Sequence, residues 1–159
     1  MRIIGIDPGM AIVGYSILDV ESNGEINLVS SGSIQTSSKE TESKRLLEIH
    51  NDLKIILDKF VPDIASIEKL FFFKNQKTVM PVSQARGVIV MTLEQEGLQI
   101  FEYTPMEVKQ SLTGYGRATK DEVAKLVKIC LNNCTIPKLD DTVDAIAIAI
   151  CCARCASLN

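Results

Sequence analysis

The sequence predicts an α/β fold in which helices cover both faces of one five-stranded mixed sheet. Three β-type segments come first, and an Asn-Gly pair between the second and third is typical of the turn in an antiparallel hairpin. Helical and strand patterns then alternate before the chain ends in helices, so the later strands are expected to return parallel to the first. The 159 residues, of which 46% are hydrophobic, suit one domain over residues 1–159.

The first strand is the run Arg2–Asp7, which a Pro-Gly turn ends. Alternation along this strand puts Asp7 on the face that carries Ile3 and Gly5. A carboxylate at the end of a central strand is costly unless it binds something, although an Asp before Pro-Gly also commonly caps the turn. Taken alone, this strand leaves the two interpretations equally open.

The next strands are expected over Ala11–Asp19 and Glu25–Ile34, and an amphipathic helix follows them. A fourth strand, Asp63–Glu68, then returns beside the first by a right-handed crossover. Its last residue, Glu68, is a carboxylate, as Asp7 is at the end of the first strand. Because ligands of α/β sheets gather outside the carboxyl ends of the strands, we expect Glu68 and Asp7 to share a site.

The rest of the chain is mostly helical. A long apolar helix is expected over about Gln76–Gln95, followed by the fifth strand, Leu98–Tyr103. Capping boxes at Thr104 and Thr119 each predict the start of a further helix. The final helix is expected from Asp140 to about Ala156.

Two carboxylates, Asp141 and Asp144, open the final helix. Residues three apart lie on one helical face, so these like charges would sit side by side next to an apolar run, which is costly without a cation. With Asp7 and Glu68 they offer four hard oxygen donors, whereas Cys151, Cys152 and Cys155 continue a helical apolar run, and the five cysteines are expected to be reduced thiols. The donor set favours Mg²⁺ or Mn²⁺. Two such ions, ~3.5–4 Å apart, would stabilise both the attacking and the leaving oxygen of phosphodiester hydrolysis.

Aromatic and basic residues follow the fourth strand. Phe71 opens a run of three phenylalanines, and Lys74 and Asn75 come directly after that run. Phenylalanines are most often core residues, but aromatics interleaved with lysines beside a suspected site also suit stacking on unpaired bases, and we expect Phe71 to do so. Lys109, Arg117 and Lys120 are ordinary surface charges by default, and their clustering around a glycine-containing loop raises a phosphate-contact role.

The charge of the chain neither demands nor excludes a nucleic-acid partner. The net charge is −3, but residues 69–128 hold 9 basic and 6 acidic side chains, whereas residues 1–68 hold 6 basic and 11 acidic ones. The middle of the chain could therefore present a positive face. Since no targeting segment or apolar run of the ~18 residues that a membrane span needs is evident, we expect a soluble, cytoplasmic protein without a membrane partner.

Four motifs resemble those of the bacterial RuvC family in type and in order. They are Gly5-Ile6-Asp7-Pro8-Gly9, Ile67-Glu68, Gln84-Ala85-Arg86-Gly87 and Asp141-x-x-Asp144-Ala145. The resemblance implies an RNase H-like fold, with strands 1 to 3 antiparallel and strands 4 and 5 parallel to strand 1. It also implies a homodimeric, Mg²⁺-dependent endonuclease that resolves four-way Holliday junctions by paired symmetric nicks and cooperates with the RuvA and RuvB branch-migration complex.

The resemblance assigns roles to individual residues. It makes Asp7, Glu68, Asp141 and Asp144 the catalytic, metal-binding carboxylates. Phe71 matches the aromatic that stacks on bases at the opened crossover, and Lys109 and Lys120 match basic residues near the scissile phosphate. The further DNA contacts that we expect are Lys74, Asn75, Arg86 and Arg117. Relatives often carry a histidine shortly after the second aspartate, and Cys151-Cys152-Ala153-Arg154 offers none here.

Other functions are open to the same residues. Sugar kinases and actin-like ATPases also begin with Gly-x-Asp-x-Gly on a hairpin, but they need a duplicated domain and a second phosphate loop that 159 residues cannot hold. A different RNase H-like nuclease, or a catalytically weak protein that binds structured nucleic acid, is a third possibility. The four carboxylates and Phe71 favour the junction-resolving nuclease.

Overall fold

A computed structural model describes residues 1–69, 76–132 and 140–156, with only the backbone of residues 76–78 and 156. The elements in chain order are β1 (Arg2–Asp7), β2 (Ile12–Val20), β3 (Ile26–Gln35), α1 (Glu42–Phe60), β4 (Ile64–Glu68), α2 (Gln76–Gln95), β5 (Gln99–Tyr103), α3 (Pro105–Thr113), α4 (Lys120–Cys130) and α5 (Asp140–Ala156). The strands form one sheet in the order β3-β2-β1-β4-β5. Strands β1 to β3 pair antiparallel, whereas β4 pairs parallel with β1 and β5 pairs parallel with β4. The predicted five-stranded mixed sheet is confirmed.

Local sequence signals fix most element boundaries. In the hairpin between β2 and β3, Gly24 takes the left-handed conformation, with φ at 84°, that the Asn-Gly pair predicts. Complete capping boxes join Thr104 to Glu107 and Thr119 to Glu122 at the starts of α3 and α4. Helix α1 begins at Glu42, earlier than its apolar pattern indicates, because its first turn is polar and leaves no periodic signal.

The side chains of β1 alternate between two apolar layers, one on each face of the sheet. Ile4 and Ile6 point towards α1 and α2, where they meet a cluster of buried side chains that includes Leu53 and Ile89. Ile3 points to the opposite face, where α5 lies against the sheet and α3 and α4 cover it from outside. This alternation confirms that helices cover both faces and places Asp7 on the α5 face. In the described part of the chain, no helix is long and apolar enough to cross a membrane.

Helix α5 lies unusually close to the centre of the sheet because glycine occupies the points of contact. A Cβ atom on Gly5 would stand 2.3 Å from the backbone oxygen of Ala145, and one on Gly14 would stand 2.0 Å from that of Asp141. Atoms this close overlap heavily, so no residue larger than glycine fits at position 5 or 14 while the helix keeps its place. The backbone of α5 therefore rests directly on β1 and β2.

Buried hydroxyl groups also hold α5 in place. The fully buried Ser16 of β2 donates a hydrogen bond to the backbone oxygen of Ala145 at 3.0 Å, and the fully buried Ser66 of β4 donates to that of Ile148 at 3.0 Å. From the helix itself, the buried Thr142 donates to the backbone oxygen of Gly32 at 3.3 Å. Because directional bonds join the helix to three strands, its first turn has a defined position over the sheet.

We predict that Gly5→Ala destabilises the protein. The added methyl group would overlap the backbone of α5, and overpacking of this kind costs about 1–3 kcal/mol. For a chain of this size that corresponds to a thermal midpoint lower by roughly 2–12 °C, measurable by differential scanning calorimetry. An unchanged midpoint would contradict the close approach of α5 to β1.

Candidate active site

Asp7 and Glu68 lie side by side at the carboxyl edge of the sheet, which is the edge where β1, β4 and β5 end. Ile6 pairs with Ile67 in the parallel register of β1 and β4, so the residues that follow them are neighbours. Both side chains are half-buried. Alternation from the buried Ser66, which bonds to α5, puts the Glu68 carboxylate on the α5 face with that of Asp7.

Helix α5 brings Asp141 and Asp144 to the same edge. Gly14 pairs with Asp7 across β1 and β2, and the absence of a side chain on Gly14 lets the backbone of Asp141 approach that position. Asp141 and Asp144 are both half-buried. The structure therefore brings together the four carboxylates that the sequence analysis singled out.

The carboxylates oppose one another's ionisation. Burial is the largest influence on Asp7, and the charges of Glu68, Asp144 and Asp141 add to it, which together raise the pKa of Asp7 to about 8. Burial and the charge of Asp144 likewise raise the pKa of Glu68 to about 7. Burial raises the pKa of Asp144 as well, although the Lys120 ammonium partly offsets this. Such a group of half-buried anions is stable as a fully charged set only when a cation joins it.

Two lysines supply positive charge beside the carboxylates. The Nζ atom of Lys120 lies 3.3 Å from an Asp144 carboxylate oxygen and 3.5 Å from one of the exposed Asp140. Lys109 and Lys120 both line a cavity of about 250 Å³ together with Glu68 and Asp144. We call this space the carboxylate cavity, and its remaining lining residues are Pro105, Val108, Val123, Ala147 and Ile148. An anion in the cavity would thus lie near the ammonium groups of Lys109 and Lys120 as well as near the carboxylates of Glu68 and Asp144.

The donor set fits a hard divalent cation, but the carboxylates do not form a closed cage. Among residues 1–69, 76–132 and 140–156, no three His, Cys, Asp or Glu side chains are arranged so that they could hold a metal ion directly. Asp7, Glu68, Asp141 and Asp144 nevertheless supply only oxygen donors, as Mg²⁺ and Mn²⁺ prefer, and their mutual repulsion favours any cation that enters. Mg²⁺ also usually keeps several waters and needs few direct carboxylate bonds, which suits an open site.

The other expected DNA contacts have different surroundings. Arg117 is exposed on the loop before α4. Arg86 is ion-paired with Glu102 and also donates to the backbone oxygen of Glu68 at 3.3 Å, so its guanidinium contacts the protein itself. Phe71, Lys74 and Asn75 lie outside the described residues, and their proposed roles stay predictions.

Some features of the site were missed from the sequence. The pairing of Arg86 with Glu102 was not expected, although alternation along β5 places Glu102 on the α2 face at the carboxyl edge, which is the signal that could have found it. Cys152 stands near the position where relatives often have histidine, and it is fully buried. Burial raises the pKa of this thiol, so it is a neutral core group and cannot replace a metal ligand at the surface of the cavity.

The raised pKa values predict that the metal-free protein loses stability as the pH rises. The pKa of an unfolded Asp is about 4, whereas that of Asp7 in the folded chain is about 8. Folding therefore tightens proton binding, so the contribution of Asp7 to stability is complete below about pH 4 and is lost as the pH approaches about 8. In buffer with EDTA, the thermal midpoint of Asp7→Asn should fall less than that of the wild type between about pH 5 and about pH 8.

The same calorimetric series tests the cation. Millimolar Mg²⁺ should raise the wild-type midpoint more at about pH 8, where the carboxylates are charged, than at about pH 5. In Asp7→Asn the gain should be smaller at both pH values. Parallel pH curves for wild type and variant, with and without Mg²⁺, would contradict the electrostatic description of the site.

Comparison with known proteins places the chain in a family. The family model of the crossover junction endodeoxyribonuclease RuvC matches residues 3–152, a range that includes all four carboxylates of the site. The crossover junction endodeoxyribonuclease RuvC of Caldicellulosiruptor saccharolyticus is 48% identical over 151 residues, which cover 95% of this chain and 91% of that protein. The likeness therefore extends over nearly the whole chain.

Solved structures agree with the sequence comparison. Thermus thermophilus RuvC matches with a TM-score of 0.92 and 32% identity, over 99% of this chain and 96% of that one. T. thermophilus RuvC in complex with a Holliday junction substrate matches with a TM-score of 0.90 and 29% identity, over 100% of this chain and 97% of that one. These likenesses confirm the predicted RNase H-like sheet. The chain therefore belongs to the RuvC family of crossover junction endodeoxyribonucleases.

Proposed function

We propose that this chain is a metal-dependent endonuclease that resolves four-way DNA junctions in homologous recombination and DNA repair. The observation that carries the proposal is that Asp7, Glu68, Asp141 and Asp144, from three separate elements, influence one another's charge beside a cavity that two lysines line. Membership of the RuvC family, whose nucleases depend on metal, supports it. The T. thermophilus relative solved with a Holliday junction substrate supports the same class of DNA.

The substrate phosphate would bind in the carboxylate cavity. Lys109 and Lys120 line the cavity and would neutralise the phosphate, which positions the scissile bond against the carboxylates. The charges of Glu68, Asp144 and Asp141 all act on Asp7, so it is the residue best placed to share its oxygens. When bound, two Mg²⁺ or Mn²⁺ ions held by these carboxylates would activate a water and stabilise the leaving oxygen, giving 5′-phosphate and 3′-hydroxyl ends.

The wider setting of the reaction is also a proposal. Phe71 follows β4 by three residues, and the family resemblance supports its role in stacking on bases at an opened crossover. The resemblance likewise supports cooperation with RuvA and RuvB, one nuclease domain over residues 1–159, and action on DNA in the cytoplasm. Lys74, Asn75 and Arg117 remain proposed DNA contacts.

A homodimer would supply the two active sites that paired nicks require. Exposed apolar side chains on adjacent helices support such an interface, since Leu47 of α1 and Met80 and Met91 of α2 are 58%, 70% and 47% exposed. Exposure of these side chains to water costs free energy in a single chain, and contact with a second copy would bury their apolar surface.

We predict that Asp7→Asn keeps junction binding but loses nicking. The substitution removes a charge that would hold the metal, and several kcal/mol of charge stabilisation depend on that ion, so the single-turnover rate should fall on the order of 10²-fold or more. The assay compares a synthetic four-way junction with linear duplex of the same sequence, with Mg²⁺ or EDTA. Asp58→Asn, the same chemical change at an exposed position of helix α1, is the control and should cleave normally. Nicking by Asp7→Asn at the wild-type rate would contradict the site assignment, and equal cleavage of linear duplex would favour a less specific nuclease.

The oligomeric state has its own test. Sedimentation velocity at the concentration of the nicking assay should give the mass of a dimer, because both strands must be cut within one complex. Introducing a charge with Met91→Glu should shift the population towards monomer and convert paired nicks into single ones. A wild-type monomer that still resolves junctions by paired nicks would contradict the proposal.

A further inference from the structure

Arg86 joins three parts of the carboxyl edge on the side of the sheet away from the carboxylates. It projects from α2, donates from Nε to the backbone oxygen of Glu68 at 3.3 Å and is ion-paired with Glu102 of β5. Its side chain is only 20% exposed, and that of Glu102 is 39% exposed. A half-buried arginine with an ionic partner and a backbone acceptor is held in one orientation.

The geometry separates Arg86 from the carboxylate cavity. Ala85 and Ile89, its neighbours on α2, are buried with the α1 layer, whereas the carboxylates of Asp7 and Glu68 lie on the α5 face. Among the described residues that line the cavity, Lys109 and Lys120 are the cations, and Arg86 is not one of them. The Arg86 guanidinium therefore contacts the backbone oxygen of Glu68 from the α2 side of the sheet, whereas the Glu68 carboxylate lies on the α5 side.

Glu102 is well placed to orient the Arg86 guanidinium towards the backbone oxygen of Glu68. It pairs in register with Ile67, the residue before Glu68, so the acid that binds Arg86 is fixed to the same segment of β4. Beyond Glu68 the two strands share one more backbone bond, from the amide of Lys69 to the oxygen of Tyr103 at 2.8 Å. The end of β4 is therefore held from β5 and from α2 at once.

We propose that Arg86, oriented by Glu102, is a positioning residue that fixes the backbone of Glu68 and through it the direction of the Glu68 carboxylate. The inference rests on the proposed function, because it concerns the reaction of that same site. Groups that orient metal-binding carboxylates through hydrogen bonds control both metal affinity and rate, and their loss typically costs 10–100-fold. This role replaces the direct DNA contact expected for Arg86 from the sequence.

The two roles predict different kinetics. Loss of a phosphate contact weakens junction binding and reduces the dependence of the dissociation constant on salt. Loss of a positioning contact leaves binding unchanged but lowers the rate at saturating enzyme and raises the Mg²⁺ concentration needed for half-maximal rate.

The experiment uses Arg86→Gln, Glu102→Gln and the double variant in single-turnover cleavage of a synthetic four-way junction, with Mg²⁺ titrated. Junction affinity is measured separately by fluorescence anisotropy in EDTA. Arg86→Gln should lower the saturated rate roughly 10–100-fold and raise the half-maximal Mg²⁺ concentration, with the dissociation constant within about 2-fold of wild type. Glu102→Gln should act in the same direction, and the double variant should be no slower than Arg86→Gln, because the two residues act as a unit. If Arg86→Gln does not fold, Glu102→Gln alone carries the test.

A matched control lies at the opposite edge of the sheet. Arg2 binds Asp19 through two nitrogens, each at 2.8 Å, and donates to the backbone oxygen of Phe60 at 2.8 Å, so it repeats the chemistry of Arg86 far from the carboxylates. Arg2→Gln should lower the thermal midpoint while the saturated rate and the Mg²⁺ requirement stay unchanged.

Three results would overturn the inference. In the first, Arg86→Gln binds the junction more weakly but keeps the wild-type saturated rate. In the second, Arg86→Gln keeps both the saturated rate and the Mg²⁺ requirement of the wild type. In the third, Arg2→Gln lowers the saturated rate as much as Arg86→Gln does. A wild-type protein that fails to nick the junction with Mg²⁺ would instead overturn the proposed function, so the two failures can be told apart.

Discussion

The close approach of α5 to the middle of the sheet is the constraint on which the site depends. Gly5 and Gly14 remove the side chains that would hold the helix away, and Ser16 and Ser66 tie its backbone to β2 and β4. A helix normally stands off a sheet by the thickness of two layers of side chains. Here contact at the backbone brings the first turn of α5 within the electrostatic reach of Asp7, which lies more than a hundred residues earlier in the chain.

That proximity has an energetic consequence. Burial and the neighbouring negative charges raise the pKa of Asp7, Glu68 and Asp144, and Lys120 offsets only part of this effect. The rest of the fold must therefore offset the free-energy cost of holding these charges together, and the apolar layers on both faces of the sheet do so. The same imbalance gives the site its affinity for a divalent cation, so the electrostatic cost in the free protein and the proposed chemistry have one origin.

Much of this arrangement could be predicted from the sequence. The carboxyl ends of β1 and β4 meet because a right-handed crossover makes these strands parallel neighbours, so the order of the elements is enough to put Asp7 beside Glu68. The i, i+3 spacing of Asp141 and Asp144 indicated the helical half of the site. The sequence could not show which face of α2 carries Arg86, because that helix is apolar on most sides and its pattern leaves the direction of a single polar residue undefined. Contacts such as that of Arg86 with Glu102 depend on tertiary packing, which periodicity does not reveal.

The central claim is that α5 and the ends of β1 and β4 together form one metal site. Anomalous diffraction from crystals soaked in Mn²⁺ tests it most directly, because the ion is located without reference to activity. The account predicts an anomalous peak at the edge of the carboxylate cavity, bonded to Asp7 and to at least one of Glu68, Asp141 and Asp144, directly or through water. A structure at high Mn²⁺ concentration with no ion among these carboxylates, or with the ion held by a different set of residues, would contradict it.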